Sequence, residues 1–283
     1  MNVIDIVKAC RPKQWYKNLV IFIAIFFKGT IFEPSAFITV VAGFFSLCLI
    51  SSTNYIINDI IDRKKDLINP EKKSRPIAAG KISPLFAVLL AIILFFGSLI
   101  IATKLGTYFL MSIITLFVIT SIYSIYLKNK IFLDIIIIGI LFVIRAISGV
   151  FILEIAISPW LIVGTFFLSL FLSVGKRISE STLNKEMYMH RDTLKFYSKD
   201  FSKSLITISS TILIVCFALY SFLANHNNII YTLPIFVYLI FRYLSLIYSN
   251  SDIPRHPETI YKDKPLFIGL IIMVALTAIF IYL

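Results

Sequence analysis

Acidic side chains are concentrated in the stretch NDIIDRKKD, which holds Asn58, Asp59, Asp62 and Asp66. Steps of three and four residues place side chains close together on a helix. Carboxylates this close repel one another unless a cation joins them. Because Mg²⁺ prefers oxygen ligands and is often shared with substrate phosphates, the pattern predicts a Mg²⁺-diphosphate site. The alternative is a solvated helix end, since basic residues are interleaved with the acids.

Basic and amide side chains elsewhere could bind the anions of such a site. Arg75 follows in the same polar stretch, and an arginine can hold a phosphate through two hydrogen bonds. The other candidates lie at the start of the chain, inside one apolar run and in polar stretches between runs. They are Lys17, Asn18, Lys128, Arg145, Lys176, Arg177 and Arg191. The acid Glu180 is a further candidate because it follows Lys176 and Arg177 at helical spacing.

Two of these groups also have structural interpretations. Lys17 and Asn18 belong to the run RPKQWYKN, which could be an interfacial anchor with an aromatic belt. Arg145 lies inside an apolar run, three helical turns after Asp134. An arginine in such a run is a functional-site hypothesis, and the alternative is a structural ion pair between helices.

The run SVGKRISE offers the same choice. Lys176, Arg177 and Glu180 could form a second polyphosphate clamp that faces the acidic stretch. Their spacing is equally that of ordinary i,i+3 and i,i+4 ion pairs on a helix.

The elements that must position these groups are membrane helices. Of the 283 residues, 59% are hydrophobic and only 15% are charged, and the mean hydropathy is +0.91. A chain this apolar cannot hide its side chains in one water-soluble core, so soluble enzymes and nucleic-acid-binding domains are excluded. Cys10, Cys48 and Cys216 lack metal-ligand spacing and are interpreted as apolar filler.

Nine apolar runs predict an all-α integral membrane protein with nine transmembrane helices. The runs are about 18–33, 35–57, 83–103, 107–127, 131–153, 158–175, 205–224, 229–248 and 265–282. The chain is predicted to be a single membrane domain, 1–283, with two quasi-equivalent halves of about 1–127 and 128–283.

The charges predict how this bundle is oriented. Nine alternating spans place all 27 basic residues except Lys28, Lys104 and Arg145 on one face. The positive-inside rule makes that face, with the N-terminus, cytoplasmic. All 15 acidic residues except Glu33 and Glu154 lie there too. We therefore expect a multi-pass protein of the plasma (inner) membrane with its active site on the cytoplasmic face.

Several motifs together resemble the UbiA-type polyprenyltransferase superfamily, whose members are nine-helix membrane enzymes. The motifs include RPKQWYKN at 11–18, NDIIDRKKD at 58–66, SRPIAAG at 74–80, RAISG at 145–149 and HRDTLKFYS at 190–198. Most members carry a second Asp-rich motif after span six, where this chain has GKRISE. In this respect the chain resembles one branch of the superfamily, the decaprenyl-phosphate phosphoribosyltransferases.

The resemblance implies that phosphoribosyl is transferred from 5-phosphoribosyl-1-diphosphate to a polyprenyl phosphate, with Mg²⁺ as cofactor. Asp59, Asp62 and Asp66 would hold the metal and Asn58 would orient the diphosphate. The basic candidates would bind the phosphates. One alternative is a prenyltransferase that acts on an aromatic acceptor, and another is a non-catalytic carrier of polyprenyl phosphate. Prenyl chain length and oligomeric state are left open.

Overall fold

The computed structural model describes residues 2–183, 199–223 and 227–283, and all regular structure in these ranges is helical. Short 3₁₀ helices cover Pro12–Ile21, Leu127–Asn129, Asn227–Thr232 and Pro257–Lys262. The α-helices are α1 (Val3–Cys10), α2 (Phe22–Lys28), α3 (Pro34–Ile61), α4 (Arg63–Ile68), α5 (Pro84–Lys104), α6 (Thr107–Ile125), α7 (Leu133–Ile152), α8 (Pro159–Leu183), α9 (Lys199–Leu223), α10 (Leu233–Tyr248) and α11 (Lys264–Tyr282).

Within the described residues, eight helices are long and apolar enough to cross a membrane. They correspond to the predicted runs from 35–57 onward, which confirms the helical membrane class. Pro84 and Pro159 stand at the starts of α5 and α8, where a missing backbone N–H costs no helical hydrogen bond. The end of α3 lies four residues beyond the predicted run, so Asn58 and Asp59 are part of the helix.

The segment predicted as the first span, 18–33, is not one long α-helix. The 3₁₀ helix Pro12–Ile21 is followed directly by α2, which has seven residues. Gly29 then ends α2 with a left-handed backbone (φ 79°), a conformation that glycine adopts at little cost.

The chain divides into two compact units. Unit 1 comprises Met1–Ile125 and Ile144–Ala156, and unit 2 comprises Tyr126–Val143 and Ile157–Leu283. The boundary passes through α7, so the two ends of this helix belong to different units.

Unit 1 is built around α3. Ser46 on α3 and Ser98 on α5 each donate to the other's backbone carbonyl, at 3.0 and 2.9 Å, which holds these helices together inside an apolar surrounding. Gly149 on α7 lies against the 3₁₀ helix, where a Cβ atom would meet the carbonyl oxygen of Ile21 at 2.2 Å. Any larger residue would push these two backbones apart.

Unit 2 has its own apolar core. It includes Phe171 and Val174 from α8, Leu213 from α9, and Tyr243 and Ile247 from α10. The rings of Phe171 and Tyr243 are 5.2 Å apart, a separation typical of tilted aromatic pairs. This packing fixes the C-terminal half of α8, which carries Lys176 and Arg177.

Candidate active site

The acidic stretch lies where α3 passes into α4. Asp59 is on the last turns of α3, Asp62 is the junction residue and Asp66 is on α4. The backbone N–H of Asp62 donates to Asn58 O (2.9 Å) and that of Asp66 donates to Asp62 O (2.8 Å), so a helical repeat continues through the junction. Asp59 and Asp66 are therefore two turns apart on one side, and each is only 2% exposed.

Arg75 joins these two carboxylates. Its Nη1 lies 3.0 Å from Asp59 Oδ1 and 2.6 Å from Asp66 Oδ2. We call this arrangement the Arg75 bridge. Lys72 contributes a more distant charge, with Nζ 3.9 Å from Asp66 Oδ1. The polar loop after α4 thus folds back onto the end of α3, because buried carboxylates require paired cations.

Arg11 is a second cation on the same carboxylate. Its Nη2 contacts Asp59 Oδ1, and its guanidinium lies 5.0 Å from the centroid of the Tyr55 ring. Burial lowers the pKa of Arg11, and the charge of Asp59 opposes that shift. The Arg11 backbone is left-handed (φ 51°), a conformation that costs a non-glycine residue about 1–3 kcal/mol and is often found at functional sites.

The sequence analysis did not select Arg11 as a site residue. It lies 48 positions before Asp59, and no local pattern connects the two. One signal was present: Arg11 and Arg75 are each followed directly by proline. In both Arg-Pro pairs, the guanidinium group of the arginine contacts Asp59.

A second polar group lies deeper in unit 1. Arg145 on α7 is 7% exposed, and its Nε donates to Asn18 Oδ1 at 2.9 Å. Asn18 also donates to Cys48 Sγ at 3.3 Å and accepts from Ser51 Oγ at 3.4 Å. The structure therefore brings two predicted residues, Asn18 and Arg145, into one buried network, and shows that Cys48 belongs to it.

The remaining unit 1 candidates are placed less deeply. Lys17 is half-buried on the 3₁₀ helix, with Nζ 5.9 Å from the centroid of the Tyr16 ring. Asn58 and Asp62 are half-buried at the end of α3. Neighbouring Trp15 donates from Nε1 to Ser52 Oγ at 3.1 Å, which anchors the 3₁₀ helix on α3.

In unit 2, Arg177 lies between two carboxylates. Its Nε is 3.2 Å from Asp134 Oδ2, and its Nη1 is 2.8 Å from Glu180 Oε2. We call this arrangement the Arg177 bridge. Lys176 Nζ is 3.9 Å from Glu180 Oε1. The i,i+3 and i,i+4 pairing considered from the sequence is confirmed, and a phosphate-binding role for these residues stays a prediction.

Two further candidates, Lys128 and Arg191, belong to none of the groups described above. Lys128 is half-buried on the 3₁₀ helix Leu127–Asn129. Arg191, with the motif at 190–198, lies outside the described residues.

The donor set at the end of α3 fits Mg²⁺. Among the described residues, no group of three or more His, Cys, Asp or Glu side chains is arranged to enclose a metal. Mg²⁺ does not need such an enclosure, because it commonly uses one or two carboxylates together with waters and substrate phosphates. Asp59 and Asp66 already direct one oxygen each at a single cationic atom of Arg75. These two oxygens could hold a divalent ion.

Comparison with known proteins identifies the family. The UbiA prenyltransferase family matches residues 19–271 of the chain. This protein belongs to the UbiA prenyltransferase family. It is therefore a transferase, and its candidate membrane spans make it an integral membrane protein.

The relatives make the resemblance more specific. The chain is 33% identical to the decaprenyl-phosphate phosphoribosyltransferase of Mycolicibacterium smegmatis over 236 residues, which cover 82% of this chain and 74% of the relative. It is 29% identical to the protein of that name from Mycobacterium tuberculosis, over 78% of this chain and 74% of the relative.

A solved structure shares the fold of this UbiA family member. The UbiA homolog from Archaeoglobus fulgidus bound to DMAPP and Mg²⁺ aligns with a TM-score of 0.75 at 20% identity, covering 97% of this chain and 98% of the homolog. At that identity the likeness shows the fold alone.

Proposed function

We propose that this UbiA family member transfers a 5-phosphoribosyl group from 5-phosphoribosyl-1-diphosphate to a polyprenyl phosphate and releases diphosphate, with Mg²⁺ as cofactor. One observation carries the proposal. Asp59 and Asp66 converge on a single cation in a chain that is 33% identical to a decaprenyl-phosphate phosphoribosyltransferase. A buried carboxylate pair next to several cations suits a diphosphate that arrives with a divalent metal.

The reaction exchanges one C–O bond for another. An oxygen of the polyprenyl phosphate attacks the anomeric carbon of ribose, and the bond from that carbon to the diphosphate oxygen breaks. The electron pair of the broken bond leaves with diphosphate. The attacking phosphate is already ionised, so no side chain must remove a proton from it. The product is a polyprenylphosphoryl-5-phosphoribose.

The residues of unit 1 have distinct tasks in this proposal. Asp59 and Asp66, with Asp62 beside them, would hold Mg²⁺, which when bound neutralises charge on the departing diphosphate. Asn58 would orient the diphosphate. Arg75 would donate hydrogen bonds to phosphate oxygens. These bonds become stronger as negative charge develops on the leaving group.

The other candidates divide into residues that would bind anions and residues that would position them. Lys17 would contact a phosphate, and Asn18 and Arg145 would hold the 3₁₀ helix that carries it. In unit 2, we propose Lys128 and Lys176 as ligands of substrate phosphates, with Arg177 and Glu180 fixing the end of α8. Arg191 keeps its predicted role in phosphate binding.

We also propose the nine-span topology with a cytoplasmic N-terminus. The residues Ile21 and Phe22 at the junction of the 3₁₀ helix and α2 are both in the right-handed helical region. The apolar segment predicted as 18–33 would form the first span, with the polar residues before it at the membrane surface. Such a first span would put the basic N-terminus on the same side as the basic loop 58–82, which we propose is the cytoplasmic side of the plasma (inner) membrane. The two quasi-equivalent halves of a single membrane domain are part of the same proposal.

The test is a transfer assay with purified, detergent-solubilised protein, Mg²⁺ and a polyprenyl phosphate. The donor is phosphoribosyl diphosphate carrying one label in ribose and another in the terminal phosphate. We expect the ribose label in the lipid phase and the phosphate label in water. Asp59→Asn should lower the rate by about 100- to 1000-fold, because one charge of the metal-diphosphate site is lost.

Matched controls define the outcome. Asp252→Asn changes an exposed aspartate, 80% exposed, and should leave the rate unchanged. EDTA should abolish transfer. Turnover of a prenyl diphosphate with an aromatic acceptor, and no ribose label in lipid, would replace the proposal with ordinary prenyl transfer. No turnover of either donor would support a carrier.

A further inference from the structure

The most informative feature beyond the proposed reaction is the charge balance around Asp59 and Asp66. Two carboxylates, each 2% exposed, are contacted by two guanidinium groups. Arg11 contacts Asp59, and Arg75 contacts both acids. Lys72 adds a third, more exposed cation, with Nζ 3.9 Å from Asp66 Oδ1, so the two negative charges are fully offset within one small region. Each buried carboxylate therefore already has a cationic partner, as a buried charge requires.

We propose that Arg75 is a resident counter-cation that the metal must displace, so that a divalent ion binds to this site only together with a diphosphate. The proposal rests on the function proposed above only in placing a metal-diphosphate site at Asp59 and Asp66.

Geometry is the first support. One atom, Arg75 Nη1, lies within 3.0 Å of Asp59 Oδ1 and 2.6 Å of Asp66 Oδ2. A metal that takes both oxygens must lie between them, where this atom is. A metal held by both oxygens would need the space that Arg75 Nη1 fills, so Arg75 would have to withdraw. Arg11 contacts only Asp59 Oδ1 and does not lie between the two acids.

Charge is the second support. A divalent ion that enters this cluster alone adds two positive charges to a part-buried region in which the carboxylates are already offset. At a separation of a few ångströms such like-charge repulsion is large, because the surroundings screen it poorly. A diphosphate supplies the missing negative charge. It also gives the displaced guanidinium of Arg75 a new partner of the kind that arginine binds best.

The position of Arg75 permits this exchange. Its side chain is 24% exposed, whereas Asp59 is 2% exposed, so the arginine is on the accessible side of the carboxylates. Arg75 also lies in a turn-rich loop and not within a long helix. A change of side-chain rotamer can therefore move its guanidinium away from the acids without moving α3.

The experiment measures binding of Mn²⁺ by electron paramagnetic resonance, with Mn²⁺ as a stand-in for Mg²⁺ because both prefer oxygen ligands. Full-length detergent-solubilised protein is titrated with Mn²⁺ alone and with Mn²⁺ plus inorganic diphosphate. For the unmodified protein we expect weak binding alone and binding at least about tenfold tighter with diphosphate. Diphosphate is shared by phosphoribosyl and prenyl donors, so failure of phosphoribosyl transfer would leave this test intact.

Arg75→Gln provides the decisive comparison. Removal of the competing charge should tighten binding of Mn²⁺ alone by about tenfold or more. It should also shrink the gain from added diphosphate, because the displaced guanidinium is no longer there to bind it. Arg75→Lys, which keeps the charge, should bind Mn²⁺ alone as weakly as the unmodified protein.

Arg63→Gln is the matched control. Arg63 is an exposed arginine at the start of α4, so its removal changes the net charge nearby without changing the contacts of Asp59 or Asp66. We expect no comparable tightening. The proposal is overturned if the unmodified protein binds Mn²⁺ alone as tightly as with diphosphate, or if Arg75→Gln behaves like Arg63→Gln. If Arg75→Gln does not fold, the unmodified protein with and without diphosphate and Arg75→Lys still decide the proposal.

Discussion

Each unit of this UbiA family transferase contains an arginine between two carboxylates, and the two arrangements differ in exposure. In the Arg75 bridge of unit 1, the arginine side chain is 24% exposed and lies in a loop. In the Arg177 bridge of unit 2, the arginine is 5% exposed and is part of α8. Its partner Asp134 has no exposed surface.

The difference indicates two roles for one pattern of contacts. An arginine that water can reach can exchange its carboxylate partners for a phosphate, as proposed for Arg75. An arginine buried with its partner cannot leave without stranding a charge in a poorly solvated place, which is costly. We therefore interpret the Arg177 bridge as holding α7 to α8 within unit 2.

The largest expected effect separates the two bridges by stability. Arg177→Met should lower the free energy of unfolding by about 3–5 kcal/mol, because the buried Asp134 loses its counter-charge. Arg75→Met should cost clearly less, since Arg11 and Lys72 still contact Asp59 and Asp66 and water is near. Thermal denaturation of both variants in one detergent measures this difference.

The double variant Asp134→Asn with Arg177→Met is the control for that measurement. It removes both charges and should recover most of the lost stability. Equal losses for Arg75→Met and Arg177→Met would show that exposure does not distinguish the bridges.

An intermediate effect is expected at Arg145, a buried arginine of unit 1 that binds an amide. Asn18→Leu removes the oxygen that accepts from Arg145 Nε at 2.9 Å and should cost about 1.5–3 kcal/mol of stability. Asn18→Asp restores an acceptor and adds a counter-charge, so it should be more stable than Asn18→Leu. Melting temperatures in detergent give both values. If Asn18→Leu melts like the unmodified protein, this hydrogen bond contributes nothing to the placement of the 3₁₀ helix.

The smallest effect is expected at a pair in unit 2 whose arginine is 36% exposed and whose aspartate is 9% exposed. Arg242 donates to Asp263 through Nε (3.1 Å) and Nη2 (2.7 Å), and these bonds lower the pKa of Asp263 below its ordinary value. A lowered pKa in the folded state means that the pair stabilises at neutral pH and that this contribution is lost as pH falls below about 4.

Asp263→Asn tests that pair without removing the helix cap. Asp263 accepts from Leu266 N at the start of α11, and asparagine can do the same. We expect the melting temperature to fall within about 2 °C at neutral pH and the difference from the unmodified protein to vanish in acid. A difference that persists in acid would place the effect in the cap and not in the ion pair.

Much of this molecule could be predicted from the sequence because lipid leaves few choices. An apolar run such as 84–104 has to be helical in a bilayer, and Pro84 marks where the helix begins. The acids of 58–66 could be grouped because their separations are local. The first span was less predictable, since the segment Pro12–Ile21 has few apolar residues and a ten-residue 3₁₀ helix is uncommon.

The contacts that complete the site could not be predicted, because they join distant parts of the chain. Arg11 and Asp59 are 48 residues apart, and Arg145 and Asn18 are 127 apart. Which arginine meets which carboxylate depends on how α3 packs against the 3₁₀ helix. The same limit applied to Arg177, whose neighbour Glu180 was evident from spacing while its contact with Asp134 on α7 was not.

The most direct test of the account asks which carboxylates bind the metal-diphosphate. Mn²⁺ binding in the presence of inorganic diphosphate would be measured by electron paramagnetic resonance for Asp59→Asn and Asp134→Asn, with gel filtration to confirm folding. The account predicts that Asp59→Asn weakens Mn²⁺ binding by at least about tenfold, and that Asp134→Asn leaves it unchanged. Loss of binding in Asp134→Asn with full binding in Asp59→Asn would contradict the account, because the metal would then belong to the Arg177 bridge.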